Sequence, residues 1–216
     1  MSCYPDNWCV DKSQVASNTL VLFAHGAGAD MQHTFMATIA QGLAAGGVDV
    51  VRFNFPYMQQ SQLDGKRRPP NRAPVLLADF QQQLQLTIEL LQPAHIILMG
   101  KSMGGRMAVM LAADVLPARV RGVICLGYPF LPKGKTAPRL AALQDCRLPV
   151  LIYQGERDSF GTQQQLQQWS LPAAVQLQWV SDGDHSFLPR KSASVTLHDN
   201  LTAVIHGSLL YIRSLL

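Results

Sequence analysis

The sequence predicts an α/β protein: a mostly parallel sheet of about six strands with helices on both faces. Two observations carry this. Short apolar runs alternate with segments of helical periodicity from residue 19 to residue 213. Glycine-rich turns separate several of them. With 216 residues, no internal repeat and no linker, the chain reads as one domain over 1–216, residues 1–18 being an extension of unassigned structure. Hydrophobic residues make up 48% and charged residues 15%, which is enough for a large core and unlike a disordered chain.

Thr19 to His25 is an apolar run that ends in Gly26-Ala27-Gly28-Ala29, a buried strand and its turn. Phe35, Ile39 and Leu43 share one face of a helix over 34–45, and Gly46-Gly47 stops it. A strand follows at 48–53. Residues 54–73, rich in Pro, Gln and basic side chains, read as a long loop, and loops of that length are often functional. Pro74 suits a first helical position, and Leu76, Leu77, Phe80, Leu84, Ile88 and Leu91 continue at helical spacing, with glutamines on the other faces. Strands are expected at 94–99, 120–126, 149–154 and 175–180, and helices at 103–115, 138–144, 162–169 and 194–213. In the last strand Val175, Leu177 and Trp179 alternate with Gln176 and Gln178, as a half-covered strand near a sheet edge would.

Gly100-Lys101-Ser102-Met103-Gly104 joins the strand at 94–99 to the helix at 103–115. A Gly-x-Ser-x-Gly at such a junction is the sequence form of a nucleophile elbow. The turn is tight, so the residues two before and two after the serine must lack bulk. A serine hydroxyl needs a base, and a histidine needs a carboxylate to set its tautomer. In an open α/β sheet these groups lie past the C-terminal ends of strands. The strand at 149–154 ends in Gly155-Glu156-Arg157-Asp158, and that at 175–180 runs into Gly183-Asp184-His185. Ser102, Asp158 and His185 are therefore the candidate triad, with Glu156 as a rival acid. Asp184 reads as a turn residue, because neighbours in an extended turn point apart. The oxyanion would be held by the backbone N–H groups of Met103 and Ala27, with His25 bracing the turn that carries Ala27. Met58, Tyr128 and Phe160 are candidates for shaping the pocket.

Other chemistries fit less well. Gly100-Lys101-Ser102 resembles the end of a P-loop, but the glycine required five positions earlier is His95, inside a strand. Cys3, Cys9, Cys125 and Cys146 form no Cys-x-x-Cys pair, and no His-x-x-x-His pair occurs, so no metal is expected. Cys3 and Cys9 would pair only in an oxidising compartment. No signal peptide and no apolar stretch of about twenty residues is visible, so the expectation is a cytoplasmic protein without a membrane span. The net charge of +4 comes with no long basic block, which argues against nucleic acid. Lys66, Arg67, Arg68, Arg72, Lys133, Lys135 and Arg139 read either as a field for an anionic substrate or as solvated charges.

Six blocks carry a wider likeness: His25-Gly-Ala-Gly-Ala-Asp30, Val51-Arg-Phe-Asn-Phe-Pro56, Gly100-Lys-Ser-Met-Gly-Gly-Arg106, Gly127-Tyr-Pro129, Gly155-Glu-Arg-Asp-Ser-Phe-Gly161 and Gly183-Asp-His-Ser-Phe187. With these blocks in this order, the chain resembles the α/β-hydrolase superfamily over nearly its whole length. It is most similar to a small dienelactone-hydrolase-related subfamily that includes a testis-expressed hydrolase-like protein and a histone acetyltransferase complex subunit. The resemblance implies an α/β-hydrolase fold, acyl transfer to water and no cofactor. It does not choose a substrate. Dienelactone hydrolases carry a cysteine nucleophile, whereas position 102 is serine, so lactone specificity does not transfer. The gap between strands 120–126 and 149–154 holds about one short helix, which leaves no room there for a sizeable cap. The expected function is hydrolysis of a small-molecule carboxylic ester or thioester through Ser102, His185 and Asp158. A non-catalytic scaffold and a serine peptidase are the alternatives, and oligomeric state is left open.

Overall fold

The computed structural model describes residues 4–216. Cys3, named above as a pairing candidate, lies outside the described residues. The fold is a seven-stranded sheet: β1 (Trp8–Asp11), β2 (Thr19–Ala24), β3 (Asp49–Phe53), β4 (His95–Lys101), β5 (Val120–Leu126), β6 (Val150–Gly155) and β7 (Val175–Val180). Their spatial order is β1-β3-β2-β4-β5-β6-β7. β1 runs antiparallel to β3, and every other pairing is parallel.

The order reverses between β2 and β4. From β2 the chain crosses outward to β3, and from β4 it crosses the opposite way to β5. Ala24 is paired with Gly100 at the ends of these neighbours. The turns that leave them diverge and open a crevice, which is where open α/β sheets bind ligands.

Helices cover both faces. α1 (Thr34–Ala45) and α7 (Leu197–Ser214) pack on one side. On the other lie α3 (Ala73–Leu91), α4 (Met103–Leu111) and α5 (Ala141–Asp145), counting α2 as Pro56–Asp64. A short α6 (Gln163–Leu166) precedes β7. The strands alternate accordingly: Leu20 and Leu22 point into one core, Val21 and Phe23 into the other. Each fully buried Leu or Phe contributes about 1.5–3 kcal/mol through removal from water. α7 opens with a capping box in which Thr196 and Asp199 satisfy each other's backbone amides.

The structure departs from the sequence expectation in several places. Residues 54–73 are not loop throughout, because α2 lies inside them. Pro56 starts that helix and Gly65, at φ 71°, stops it. Tyr57 is its only buried residue, so no apolar period announces it. The extension contains β1, which makes seven strands rather than six. β1 is anchored by Trp8, whose Nε1 donates to Gln83 Oε1 at 2.6 Å, so one α3 glutamine faces inward. α4 ends at Leu111, and Val115, 84% exposed, has left the core face. α5 and α6 are shorter than predicted.

Candidate active site

Ser102 follows β4 and precedes α4. Its backbone lies at φ 51°, ψ −110°, a positive-φ conformation rare for a residue with a Cβ. Two glycines allow this turn. A Cβ at Gly100 would overlap the backbone of Gly104 and Gly105, and one at Gly104 would overlap the carbonyls of Ala24 and His25. The Ser102 amide is tied to Leu126 O at 2.9 Å, which leaves the side chain to face the crevice.

Ser102 Oγ lies 2.9 Å from His185 Nε2, and His185 Nδ1 lies 2.8 Å from Asp158 Oδ2. A carboxylate only accepts, so Nδ1 carries the proton and Nε2 is free to accept from the serine hydroxyl. Asp158 has no exposed surface, and its Oδ1 accepts from Phe160 N at 2.8 Å. The rival acid is turned elsewhere: Glu156 Oε2 accepts from Asp182 N at 2.8 Å. Asp184 Oδ1 accepts from Ser186 N and Leu188 N, which folds the turn around His185.

The turn after β2 is braced from beneath. His25 is fully buried; its Nε2 accepts from Phe55 N at 3.1 Å, so Nδ1 donates to Gly26 O at 2.7 Å. Burial lowers its pKa to about 4, which keeps the ring neutral. Tyr57 Oη donates to the carbonyls of Gly26 and Ala27 at 3.2 and 3.1 Å. With those carbonyls drawn inward, the Ala27 and Met103 amides have no backbone acceptor among the described residues.

Lys101, next to the serine, is a further ionisable group at the site. Its Nζ donates to His185 O at 2.6 Å and stands over the rings of Phe35 and Phe187. Burial lowers its pKa to about 8, against the opposing pull of the Asp158 and Asp184 charges.

Two clefts meet at Ser102. The first, about 350 Å³, is walled by Phe35, Met36, Lys101, Phe160 and His185. The second, about 310 Å³, is walled by Leu76, Met103, Arg106, Pro129, Arg139 and Phe160. Ala27, Ser102 and Phe160 border both. The Phe160 ring lies 4.5 Å from that of His185.

Of the three pocket candidates, only Phe160 lines these clefts. Tyr128 is fully buried behind them, its ring against Phe130 and its Oη donating to Arg139 O at 3.1 Å. The left-handed Gly127, at φ 68°, precedes this inward-facing tyrosine. Met58 packs on the core beneath α2 instead. Lys66, Arg72, Lys133 and Lys135 are exposed and border neither cleft. Arg67 and Arg68 border a shallow hollow beside Ala27, with Arg68 paired to Asp64. Tyr57, Lys101 and Arg106 went unassigned in the sequence reading. Lys101 lies inside the elbow motif and Arg106 two residues beyond it, and that proximity is their only signal.

Fold and site together define a protein of the α/β-hydrolase class, without a cap domain. The chain belongs to the family whose model is described as alpha/beta hydrolase domain, which matches residues 17–213. Solved structures agree on the fold. An α/β serine hydrolase homologue from Coxiella burnetii is 20% identical, with TM-score 0.71, covering 97% of this chain and 91% of that one. An α/β serine hydrolase without lid from Xanthomonas campestris is 21% identical, with TM-score 0.71, covering 96% and 88%. A dienelactone hydrolase from Anabaena variabilis is 20% identical, with TM-score 0.70, covering 97% and 91%. A search among curated proteins finds no significant match. No helix among the described residues is long and apolar enough to cross a membrane. Nor do three His, Cys, Asp or Glu side chains among them converge as a metal would need.

Proposed function

We propose that this protein is a serine hydrolase that cleaves a carboxylic ester or thioester. One observation carries the reading: the unbroken hydrogen-bonded line from Ser102 Oγ through His185 to Asp158. Ser102 Oγ attacks the acyl carbon while its proton passes to His185 Nε2. The carbonyl oxygen takes the negative charge and is held by the Ala27 and Met103 amides. The bond to the leaving oxygen or sulfur then breaks, and His185 returns the proton to that atom. Water repeats the sequence on the acyl-enzyme: His185 takes its proton, the acid is released and Ser102 regains its hydrogen. Asp158 holds the imidazole and balances its transient charge. The chemistry needs no cofactor.

Family membership and the lidless neighbour named above support this reading at the level of hydrolase. The six blocks of likeness support placing the chain beside the dienelactone-hydrolase-related subfamily. The test is labelling by a fluorophosphonate probe, which reports an activated serine without needing the substrate. Wild type should label and Ser102→Ala should not, while both fold. A wild type that neither labels nor cleaves any aryl ester would favour a non-catalytic scaffold.

A further inference from the structure

The two clefts are not equivalent chemically. The leaving atom must receive a proton from His185 Nε2, and His185 borders the first cleft but not the second. Met103 lines the second cleft and not the first. Leaving group and acyl chain extend to opposite sides of the attacked carbon. The alcohol or thiol therefore occupies the first cleft, between Phe35 and Phe160, and the acyl chain the second.

Two arginines line the second cleft. Arg106 rises from α4, four residues after Ser102, and is half-buried, while Arg139 stands at the solvent rim. Neither forms an ion pair within 4.0 Å among the described residues. Arg139 is clamped at both backbone groups: its N donates to Phe130 O at 2.7 Å, and its carbonyl accepts from Tyr128. The remaining walls are largely apolar, from Leu76, Met107, Pro129 and Phe160. Partial burial, first, and the like charge of Arg106, second, hold the Arg139 pKa below its usual value. An anion between them relieves the repulsion and gains charge-assisted, forked hydrogen bonds.

Resting on the serine-hydrolase reading, we infer that Arg106 and Arg139 form a carboxylate subsite for the acyl half of the substrate. The preferred substrates are half-esters or half-thioesters of short dicarboxylic acids, with an apolar alcohol or thiol. The reaction is the one written above, and its products are the dicarboxylate and the free alcohol or thiol.

The experiment compares kcat/KM for three esters: the phenyl half-ester of glutaric acid, the same compound with its carboxylate masked as a methyl ester, and 4-carboxyphenyl butyrate. Wild type should favour the half-ester over its masked analogue by about tenfold or more, equivalent to about 1.4 kcal/mol. The preference should shrink in high salt. It should fall towards unity in the Arg106→Gln, Arg139→Gln double variant and persist in part when both are lysine. A charge on the leaving group should bring no such gain. Equal rates for charged and masked esters, a ratio that survives the double variant, or a preference for 4-carboxyphenyl butyrate would overturn the subsite. Labelling by fluorophosphonate in the same preparations separates the two claims. If Ser102 labels and no preference appears, only the subsite is wrong. If nothing labels and no ester is cleaved, the hydrolase reading fails and the subsite with it.

Discussion

Lys101 Nζ lies 2.6 Å from the carbonyl oxygen of His185, so the residue before the serine holds the loop that carries the serine's partner. The bond spans 84 positions of sequence. It joins the end of β4 to the turn after β7, strands separated in the sheet by β5 and β6. The geometry of the hydrogen-bonded line thus depends on a lysine as well as on the three residues that compose it.

Lys101→Met should lower kcat for aryl esters by about tenfold to a hundredfold, since small misplacements of a catalytic group cost that much. KM should change little, because the loss falls on the alignment of His185. Steady-state kinetics on a neutral ester check this. An unchanged kcat would mean that the loop holds itself.

Asp158→Asn should cut kcat by roughly 10³–10⁴, because the amide favours the wrong imidazole tautomer. Glu156→Gln should cost far less, since that carboxylate serves the Asp182 amide. Measuring the two variants side by side decides which acid works with His185, and the reverse order would assign the role to Glu156.

His25 gives a pH signature in stability. Its pKa falls from 6.5 to about 4 on folding. Between these values the unfolded chain binds a proton that the folded one does not. Stability from this group is therefore complete above pH 6.5 and is lost as pH falls towards about 4, by on the order of 3 kcal/mol. Urea titrations across this range should show a shallower decline for His25→Gln than for wild type. Parallel declines would mean that His25 is protonated in the folded protein.

Ser102, Asp158 and His185 stand out in the sequence as candidates because each occupies a fixed place in the strand-to-helix rhythm, past the end of its strand. Apolar runs at 94–99 and 149–154 and the alternation at 175–180 locate those ends within a residue or two. Tyr57, Lys101 and Arg106 were hidden for the opposite reason. Tyr57 acts on Gly26 and Ala27, 30 or so positions away, and Lys101 acts on His185. Such pairings depend on how distant segments pack, and local patterning carries no trace of them. α2 escaped because a helix with one buried residue has no apolar stripe. Tyr128 misled because an aromatic after a glycine turn looks like a pocket wall, yet here it fills the core beneath Arg139.

The backbone at Ser102, φ 51° and ψ −110°, bears on heat resistance as well as on chemistry. A side-chain-bearing residue in such a conformation costs of order 1–3 kcal/mol. The cost is present in every folded molecule, because it lies in the backbone of the elbow itself. Glycine would relax there, and alanine would not. Ser102→Gly should therefore melt above Ser102→Ala, by several degrees for a domain of this size, although both lack the hydroxyl. If Ser102 is the nucleophile, as proposed, the route to a hardier scaffold and the route to an active one part at residue 102.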